Sequence, residues 1–153
     1  TTPWWMNSVF LRISNRNRTF DNLTHEFNIY TNKFGMQALW LTPIMPLSKE
    51  LNPMEWRSVD PIWSKETDLN DFINQAQKNN IRIIFDYPIN HLSIRSSHFT
   101  SDDDKYFVWN EQGNSSNWMV INGNRQSAWT YDQRKNSFFL HQFDCNNDSI
   151  DIN

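Results

Sequence analysis

The residue types best suited to chemistry lie together at the end of one apolar run. Ile81–Phe85 is continuously apolar, and Asp86, Asn90 and His91 follow it within the stretch DYPINH. A carboxylate, an amide and an imidazole can between them accept protons, donate protons and orient one another. If the run is a parallel strand, these side chains stand at its carboxyl end, where (β/α)8 barrels build their ligand sites. The spacing therefore predicts a ligand site at this strand's exit.

A βαβαβ unit is predicted to position these residues. Ser8–Ile13 mixes β-branched and aromatic residues and is predicted as a first strand, and Met36–Thr42 as a second. The continuous apolar character of Ile81–Phe85 is typical of a third strand covered on both faces in a parallel sheet. Residues 43–66 are polar and interrupted by prolines, which predicts a loop.

Two amphipathic helices are predicted between these strands. Apolar residues recur on one helical face at Leu23, Phe27, Tyr30 and Phe34, and again at Leu69, Phe72, Ile73 and Ala76. Asp21 or Asn22 is expected to cap the first helix, and Ser64 or Thr67 the second, because their side-chain oxygens accept from free N–H groups. Gly35 suits the left-handed position that ends the first helix.

The character of the chain changes after His91. Residues 92–105 are predicted as a polar loop, and the acidic run Asp102–Asp104 within it as a solvated face. From Tyr106 onward the short aromatic segments YFVW, NWMVI, SAWTYD and SFFLHQF predict strands. Asp132–Asn136 is predicted as the turn of a hairpin joining the last two.

Length and composition limit the function classes. The 153 residues carry a net charge of −3, so the chain has no basic surface for nucleic acid. No segment approaches the roughly 20 apolar residues of a membrane span, so any anchor is expected outside these residues. Cys145 has no second cysteine to pair with and is expected to be a free thiol, with a bond to a partner segment left open. The high aromatic content, 15%, is assigned mainly to core packing.

Several of these segments, in this order, resemble the α-amylase family of glycoside hydrolases, in particular its maltase and oligo-1,6-glucosidase members. The resemblance is carried along the whole chain by WW at the start, WLTPI, VDPIW, DYPINH, KYFVW, SNW, SAWTYD, FFLHQF and the closing Asp151-Ile152-Asn153. It implies an α/β fold: a partial (β/α)8 barrel, comprising the first three strands, with an inserted small β-rich B domain. A complete barrel needs about 250 residues. Residues 1–99 are accordingly assigned to the barrel and residues 100–153 to the B domain.

The family's reaction is retaining glycoside hydrolysis, in which one carboxylate attacks the sugar and a second carboxyl group protonates the leaving oxygen. The resemblance places both groups after the fourth and fifth strands, so no catalytic residue is expected in this chain. It implies that Asp86 and His91 contact substrate, with Asn90 as structural support. The alternative for Asp86 and His91 is a purely structural pair that ties loops together.

Two departures from the family pattern concern ligand binding. The family's Gly-Tyr-Asp, whose last two residues hold the terminal sugar, is matched here by Glu50, Leu51 and Asn52. The loop that often binds a cation in the family reads NRNRTF over residues 15–20, and its two arginines disfavour a hard cation. No metal and no cofactor are expected.

These departures favour a non-catalytic interpretation. The sequence resembles the glucosidase-like ectodomain of the heavy chains of amino-acid transporters, especially the heavy chain of the cystine and basic amino-acid transporter. That resemblance implies a plasma-membrane protein whose extracellular part pairs with a multi-pass light chain and brings it to the cell surface. N-glycosylation is permitted by sequons at Asn17, Asn22, Asn114 and Asn147.

The alternative interpretation is a secreted or tethered α-glucosidase acting on an α-glucoside sugar. A third interpretation, a sugar-binding module, would use exposed tryptophans such as Trp109, Trp118 and Trp129. The prediction that Asp and Glu follow the fourth and fifth strands separates the glucosidase from the other two.

Overall fold

The computed structural model describes residues 2–14, 18–49, 51–101, 104–112, 127–142 and 148–152. They form two compact units: unit 1 comprises Thr1–Pro46 with Arg57–Tyr87, and unit 2 comprises Leu47–Trp56 with Pro88–Asn153. The assignment of residues 100–153 to an inserted B domain stays a prediction. In chain order the elements are β1 (Val9–Ile13), α1 (Phe20–Phe34), β2 (Met36–Leu41), β3 (Leu47–Lys49), β4 (Asn52–Pro53), α2 (Glu66–Lys78), β5 (Arg82–Phe85), β6 (His91–Ser93), α3 (Ser97–Thr100), β7 (Trp109–Asn110), β8 (Trp129–Asp132), β9 (Ser137–Leu140) and β10 (Ser149–Asp151).

Unit 1 contains the predicted βαβαβ unit. Its sheet is parallel in the order β1-β2-β5, with Arg12 opposite Trp40 and Trp40 opposite Ile84. The crossover helices α1 and α2 lie between consecutive strands in the chain, as parallel pairing requires. The α/β prediction is confirmed, and the three predicted strands of this unit are present to within a residue or two of their predicted bounds.

Helix α1 begins earlier than its predicted caps. The Thr19 hydroxyl accepts the backbone N–H of Asn22 (3.3 Å), and the Asn22 side-chain oxygen accepts the backbone N–H of Thr19 (3.2 Å). The prediction that Asp21 or Asn22 is the cap was wrong, because Thr19 starts the helix and Asn22 closes the reciprocal pair from the third helical position. Gly35 ends α1 at φ 61°, in the left-handed region, as predicted.

Helix α2 also begins at an unpredicted residue. Its cap is Lys65, whose backbone N–H donates to Asp68 Oδ2 at 3.1 Å. The prediction of Ser64 or Thr67 was therefore wrong: Thr67 is already helical, and Ser64 has φ 134° and precedes the cap.

The helices cover one face of the unit 1 sheet with a large aromatic core. Phe20 and Phe72 are stacked with centroids 5.2 Å apart, Phe20 and Trp63 stack at 5.5 Å, and Phe27 lies 5.5 Å from Phe72. All four are at most 2% exposed. Phe34, predicted on the buried stripe, is 63% exposed because it occupies the last turn of α1.

Unit 2 is built from antiparallel pairs. β3 pairs with β4, β6 with β10, and β9 lies between β7 and β8. Its largest buried cluster consists of Leu92, Phe99, Phe107, Phe139 and Ile150. Strands β3 and β4 lie in the segment predicted as loop, and β6 lies in the predicted polar loop 92–105, so both loop predictions were wrong in part. The predicted NWMVI strand and Cys145 fall outside the described residues.

The predicted hairpin at Asp132–Asn136 is confirmed. Asp132 at the end of β8 faces Ser137 at the start of β9, and Asn136 adopts φ 48°, which asparagine tolerates better than most residues. The Asp132 carboxylate accepts from the Arg134 backbone N–H (2.8 Å) and Nε (3.1 Å) and from its Nη2. The turn is thus tied together by one buried carboxylate.

The hairpin should lose stability in acid. The side-chain hydrogen bonds from Arg134 lower the pKa of Asp132 from its ordinary value of 3.8, despite opposing desolvation. Because the folded-state pKa is depressed, this stabilisation is present above pH 3.8 and is lost as the pH falls below it. After correction for the pH dependence of intrinsic exchange, the hydrogen-exchange protection of β8 and β9 should therefore fall below about pH 4. Asp132→Asn should remove this acid-dependent loss of stability, whereas Asp21→Asn, at an exposed residue of α1, should leave the loss in place. A pH profile of exchange in Asp132→Asn that equals the parent's would contradict the role assigned to the Asp132 carboxylate.

Candidate functional site

Asp86 lies at the carboxyl end of the unit 1 sheet, as predicted, and already has protein partners. Its Oδ1 accepts from Trp40 Nε1 at 2.6 Å and its Oδ2 from Arg12 Nη2 at 3.3 Å. Its backbone N–H donates to the carbonyl of Leu41, which extends the β2–β5 pairing by one step. The Arg12 guanidinium also lies 5.3 Å from the centre of the Trp40 ring. Side chains from β1 and β2 therefore fix this carboxylate.

The Arg12–Asp86 pair is partly exposed. The side chain of Arg12 is 55% exposed and that of Asp86 is 24% exposed. Solvent screens an ion pair of this kind, so it contributes little to stability. The ion pair instead orients the Asp86 carboxylate, which accepts from Arg12 on one oxygen and from Trp40 on the other. The sequence pattern gave no sign of Arg12, because its role depends on register with Trp40 across two strands.

His91 begins β6 in unit 2, and its ring is held by a backbone carbonyl. Nε2 lies 3.0 Å from the carbonyl oxygen of Leu51. A carbonyl oxygen only accepts, so Nε2 carries the proton in this contact. Nδ1 is buried and has no hydrogen-bond partner among the described residues. The Nε2–H of His91, the residue for which the resemblance implies a substrate contact, is therefore bound to the Leu51 carbonyl.

Asn52 is a buried structural residue in this chain. It is 1% exposed, and its Nδ2 donates to the carbonyl oxygen of Asp148 at 3.1 Å. Its Oδ1 is buried and has no partner among the described residues. Leu51, by contrast, is 47% exposed and adopts φ 57°, which is uncommon for a residue other than glycine. Glu50, the first residue of the altered triplet, lies outside the described residues.

Asn90, for which structural support was predicted, contacts a residue to which no role had been assigned, and its support role stays a prediction. Its Nδ2 donates to Asp151 Oδ1 at 3.3 Å, and its carbonyl accepts the backbone N–H of Ile152 at 3.0 Å. Asp151 is 5% exposed. Burial raises its pKa, against the opposing effects of the Gln142 N–H and the imidazoles of His91 and His141. The sequence signal for Asp151 was its place in the closing Asp-Ile-Asn motif.

The structure describes the predicted site residues in two groups. Leu51, Asn52, Asn90 and His91 come together in unit 2, through β4, β6 and β10. Asp86 belongs to unit 1, where its neighbours are Arg12 and Trp40. The substrate-contact roles of Asp86 and His91 stay predictions.

The remaining sequence candidates divide between structural roles and undescribed positions. The Asn22 side chain takes part in the α1 cap, and the sequons at Asn17, Asn114 and Asn147 lie outside the described residues. Trp109 is stacked on Phe99 with centroids 5.8 Å apart, within the unit 2 core. Trp129 packs partly buried, and Trp118 is outside the described residues. The two described tryptophans of this set, Trp109 and Trp129, therefore lie in packing contacts.

The described residues contain neither a cluster of metal ligands nor a helix that could span a membrane. In that part of the chain no three or more His, Cys, Asp or Glu side chains are grouped so that they could hold a metal ion. Within the same residues, no helix has the length and apolarity needed to cross a membrane. The loop over residues 15–17, where the family often holds a cation, is not described.

The fold agrees with solved (β/α)8-barrel enzymes. The trehalose-6-phosphate hydrolase of Bacillus licheniformis superposes with a TM-score of 0.84 at 19% identity, over 99% of this chain and 31% of that one. At that identity the likeness shows the fold, and the chain forms part of a (β/α)8 barrel. The class defined by fold and site is thus a barrel fragment with polar residues at the strand ends.

The family follows from the sequence comparisons. The model of the alpha amylase, catalytic domain family matches residues 23–153, so the chain belongs to that family. The glucan 1,6-alpha-glucosidase of Streptococcus pneumoniae is 27% identical over 92% of this chain and 29% of its own length. Maltase A2 of Drosophila melanogaster is 31% identical over 74% of this chain and 23% of its own length. The chain therefore spans under a third of these relatives.

The comparisons support the alternative functional interpretation better than the preferred one. The relatives are glucosidases and related hydrolases, and none supports the prediction of a transporter heavy chain with a light-chain partner. The α-glucosidase alternative is the better supported of the two, as is an α-glucoside sugar as partner.

Proposed function

We propose that this chain is part of an α-glucosidase of the maltase or oligo-1,6-glucosidase type, which hydrolyses α-glucosidic bonds. The observation that carries the proposal is the likeness to a glucan 1,6-alpha-glucosidase along 92% of the chain. The nucleophilic and acidic carboxyl groups of a retaining mechanism are expected in other parts of the full-length protein. This chain would contribute substrate contacts and their supports.

Two side chains of this chain are suited to binding sugar hydroxyls. Asp86, held by Arg12 and Trp40, offers carboxylate oxygens as acceptors in a fixed orientation. His91 would donate from Nε2, and it must release the carbonyl of Leu51 to do so. Binding by His91 therefore requires a local shift at Leu51, a residue already in an uncommon backbone conformation.

The test is to read the full-length transcript on both sides of residues 1–153 and to assay the encoded protein. We expect an Asp and a Glu after the fourth and fifth strands, and release of glucose from a panel of maltose, isomaltose and p-nitrophenyl α-glucoside. Replacing the Asp nucleophile with Asn is the control, and should reduce turnover to background. Absence of the acidic pair, or no turnover on any substrate of the panel, would overturn the proposal.

A non-catalytic second candidate is favoured by one specific observation. Leu51 and Asn52 stand where the resemblance expects a sugar-binding Tyr and Asp, and both are engaged in contacts within unit 2. This candidate is the ectodomain of a plasma-membrane heavy chain that pairs with a multi-pass light chain. The same transcript distinguishes it: it requires a single apolar span of about 20 residues upstream and no acidic pair.

A further inference from the structure

The position of His91 depends on the strand beside it. His91 faces Asp151 across the antiparallel β6–β10 pair, and the backbone N–H of Ile152 donates to the Asn90 carbonyl at 3.0 Å. Among the described residues, the ring makes one hydrogen-bond contact, from Nε2 to the Leu51 carbonyl. Its Nδ1 has no partner among the described residues. The pairing with β10 fixes the position of the Asn90–His91 segment. It therefore also determines the position of the His91 ring.

The Asp151 carboxylate connects that segment to two other parts of unit 2. Oδ1 accepts from Asn90 Nδ2 at 3.3 Å, and Oδ2 accepts from the backbone N–H of Gln142 at 3.0 Å. Gln142 lies just after β9, and Asp151 itself ends β10. A buried carboxylate is retained only when hydrogen bonds compensate its desolvation. Both oxygens are used here, one towards β6 and one towards the end of β9.

We infer that Asp151 is a positioning residue for His91, acting through the Asn90 side chain and the β6–β10 pair. The inference rests on the proposed function for one point, that His91 contacts the sugar. Burial raises the pKa of Asp151, and the Gln142 N–H together with the nearby rings of His91 and His141 opposes that rise.

Four variants of the full-length protein separate positioning from stability. Asp151→Ala removes both acceptors, and Asn90→Ala removes only the link to β6. Asp151→Asn keeps one acceptor for Gln142, and its amide can donate to Asn90 once the Asn90 side chain is flipped. Ile150→Val is the matched control, because Ile150 is a buried residue of the same strand that pairs with Leu92 and has a purely apolar side chain, which cannot hydrogen-bond to Asn90.

The first readout is the Michaelis constant for p-nitrophenyl α-glucoside. Asp151→Ala and Asn90→Ala should raise KM about tenfold or more with little change in kcat, because a displaced His91 loses binding that the ground state and the transition state share. Asp151→Asn should restore KM to within about threefold of the parent, and Ile150→Val should leave it unchanged. Equal effects of Asp151→Ala and Ile150→Val would overturn the inference.

The second readout does not require activity. Nitrogen-15 spectra of histidine-labelled protein, with His91 assigned by His91→Gln, should show a single Nε2–H tautomer in the parent. Asp151→Ala should lose that signal, and Asp151→Asn should recover it; an unaltered His91 signal in Asp151→Ala would overturn the inference. If the parent protein hydrolyses no glucoside, the proposed function fails while this readout still decides the positioning.

Discussion

Phe72→Ala is expected to lower the free energy of unfolding by about 3–5 kcal/mol. Phe72 is a residue of α2 and is 1% exposed. Its ring lies against α1, with centroids 5.2 Å from Phe20 and 5.5 Å from Phe27. Truncation removes the transfer free energy of the ring and leaves a cavity that neighbouring aromatic rings fill only partly. Because these rings join both crossover helices, the loss should extend through unit 1.

Chemical denaturation of the full-length protein measures this effect, and hydrogen exchange of unit 1 peptides localises it. Phe34→Ala is the control with the same chemistry, since Phe34 is 63% exposed at the end of α1. It should change the free energy of unfolding by no more than about 0.5 kcal/mol. Similar losses in the two variants would show that Phe72 does not hold the helices together.

Asn52→Asp is expected to destabilise unit 2 by about 2–4 kcal/mol at neutral pH. The substitution introduces the acidic residue that the family resemblance expects at this position. In this structure Asn52 is 1% exposed and donates from Nδ2 to the carbonyl of Asp148. A carboxylate has no proton to donate there, and it would place a buried charge beside a carbonyl oxygen. The family residue is therefore incompatible with the observed contact.

The pH dependence and a neighbouring control make this prediction specific. Burial should raise the pKa of the new carboxyl group, so the deficit should shrink as the pH falls from 7 towards about 4 and the group becomes neutral. Leu51→Tyr, at an exposed position, should cost no more than about 0.5 kcal/mol. An Asn52→Asp protein as stable as the parent at pH 7 would show that the Asn52–Asp148 contact is dispensable.

Unit 1 was largely predictable because its signals are local. Apolar residues such as Leu23 and Phe27 recur at the helical period, and Gly35 marks the helix end where a left-handed residue is needed. The continuous apolar strands indicated a parallel sheet, and hence polar residues at its carboxyl edge. The helix caps were missed for different reasons: Thr19 competes with Asp21 and Asn22, which are equally suitable, whereas Lys65 has no side-chain acceptor that could mark it as a cap.

The contacts around His91 depended on tertiary structure. Asp151 and Asn90 are 61 positions apart in the chain, and Leu51 and His91 are 40 apart. The His91 contact is to a backbone carbonyl, which every residue type carries, so no sequence pattern could indicate it. The sequence by itself determined the family, the parallel sheet and the residue types at the strand ends. Only the tertiary structure decided which of those residues form hydrogen bonds within the protein, because non-local pairing sets which donors and acceptors meet.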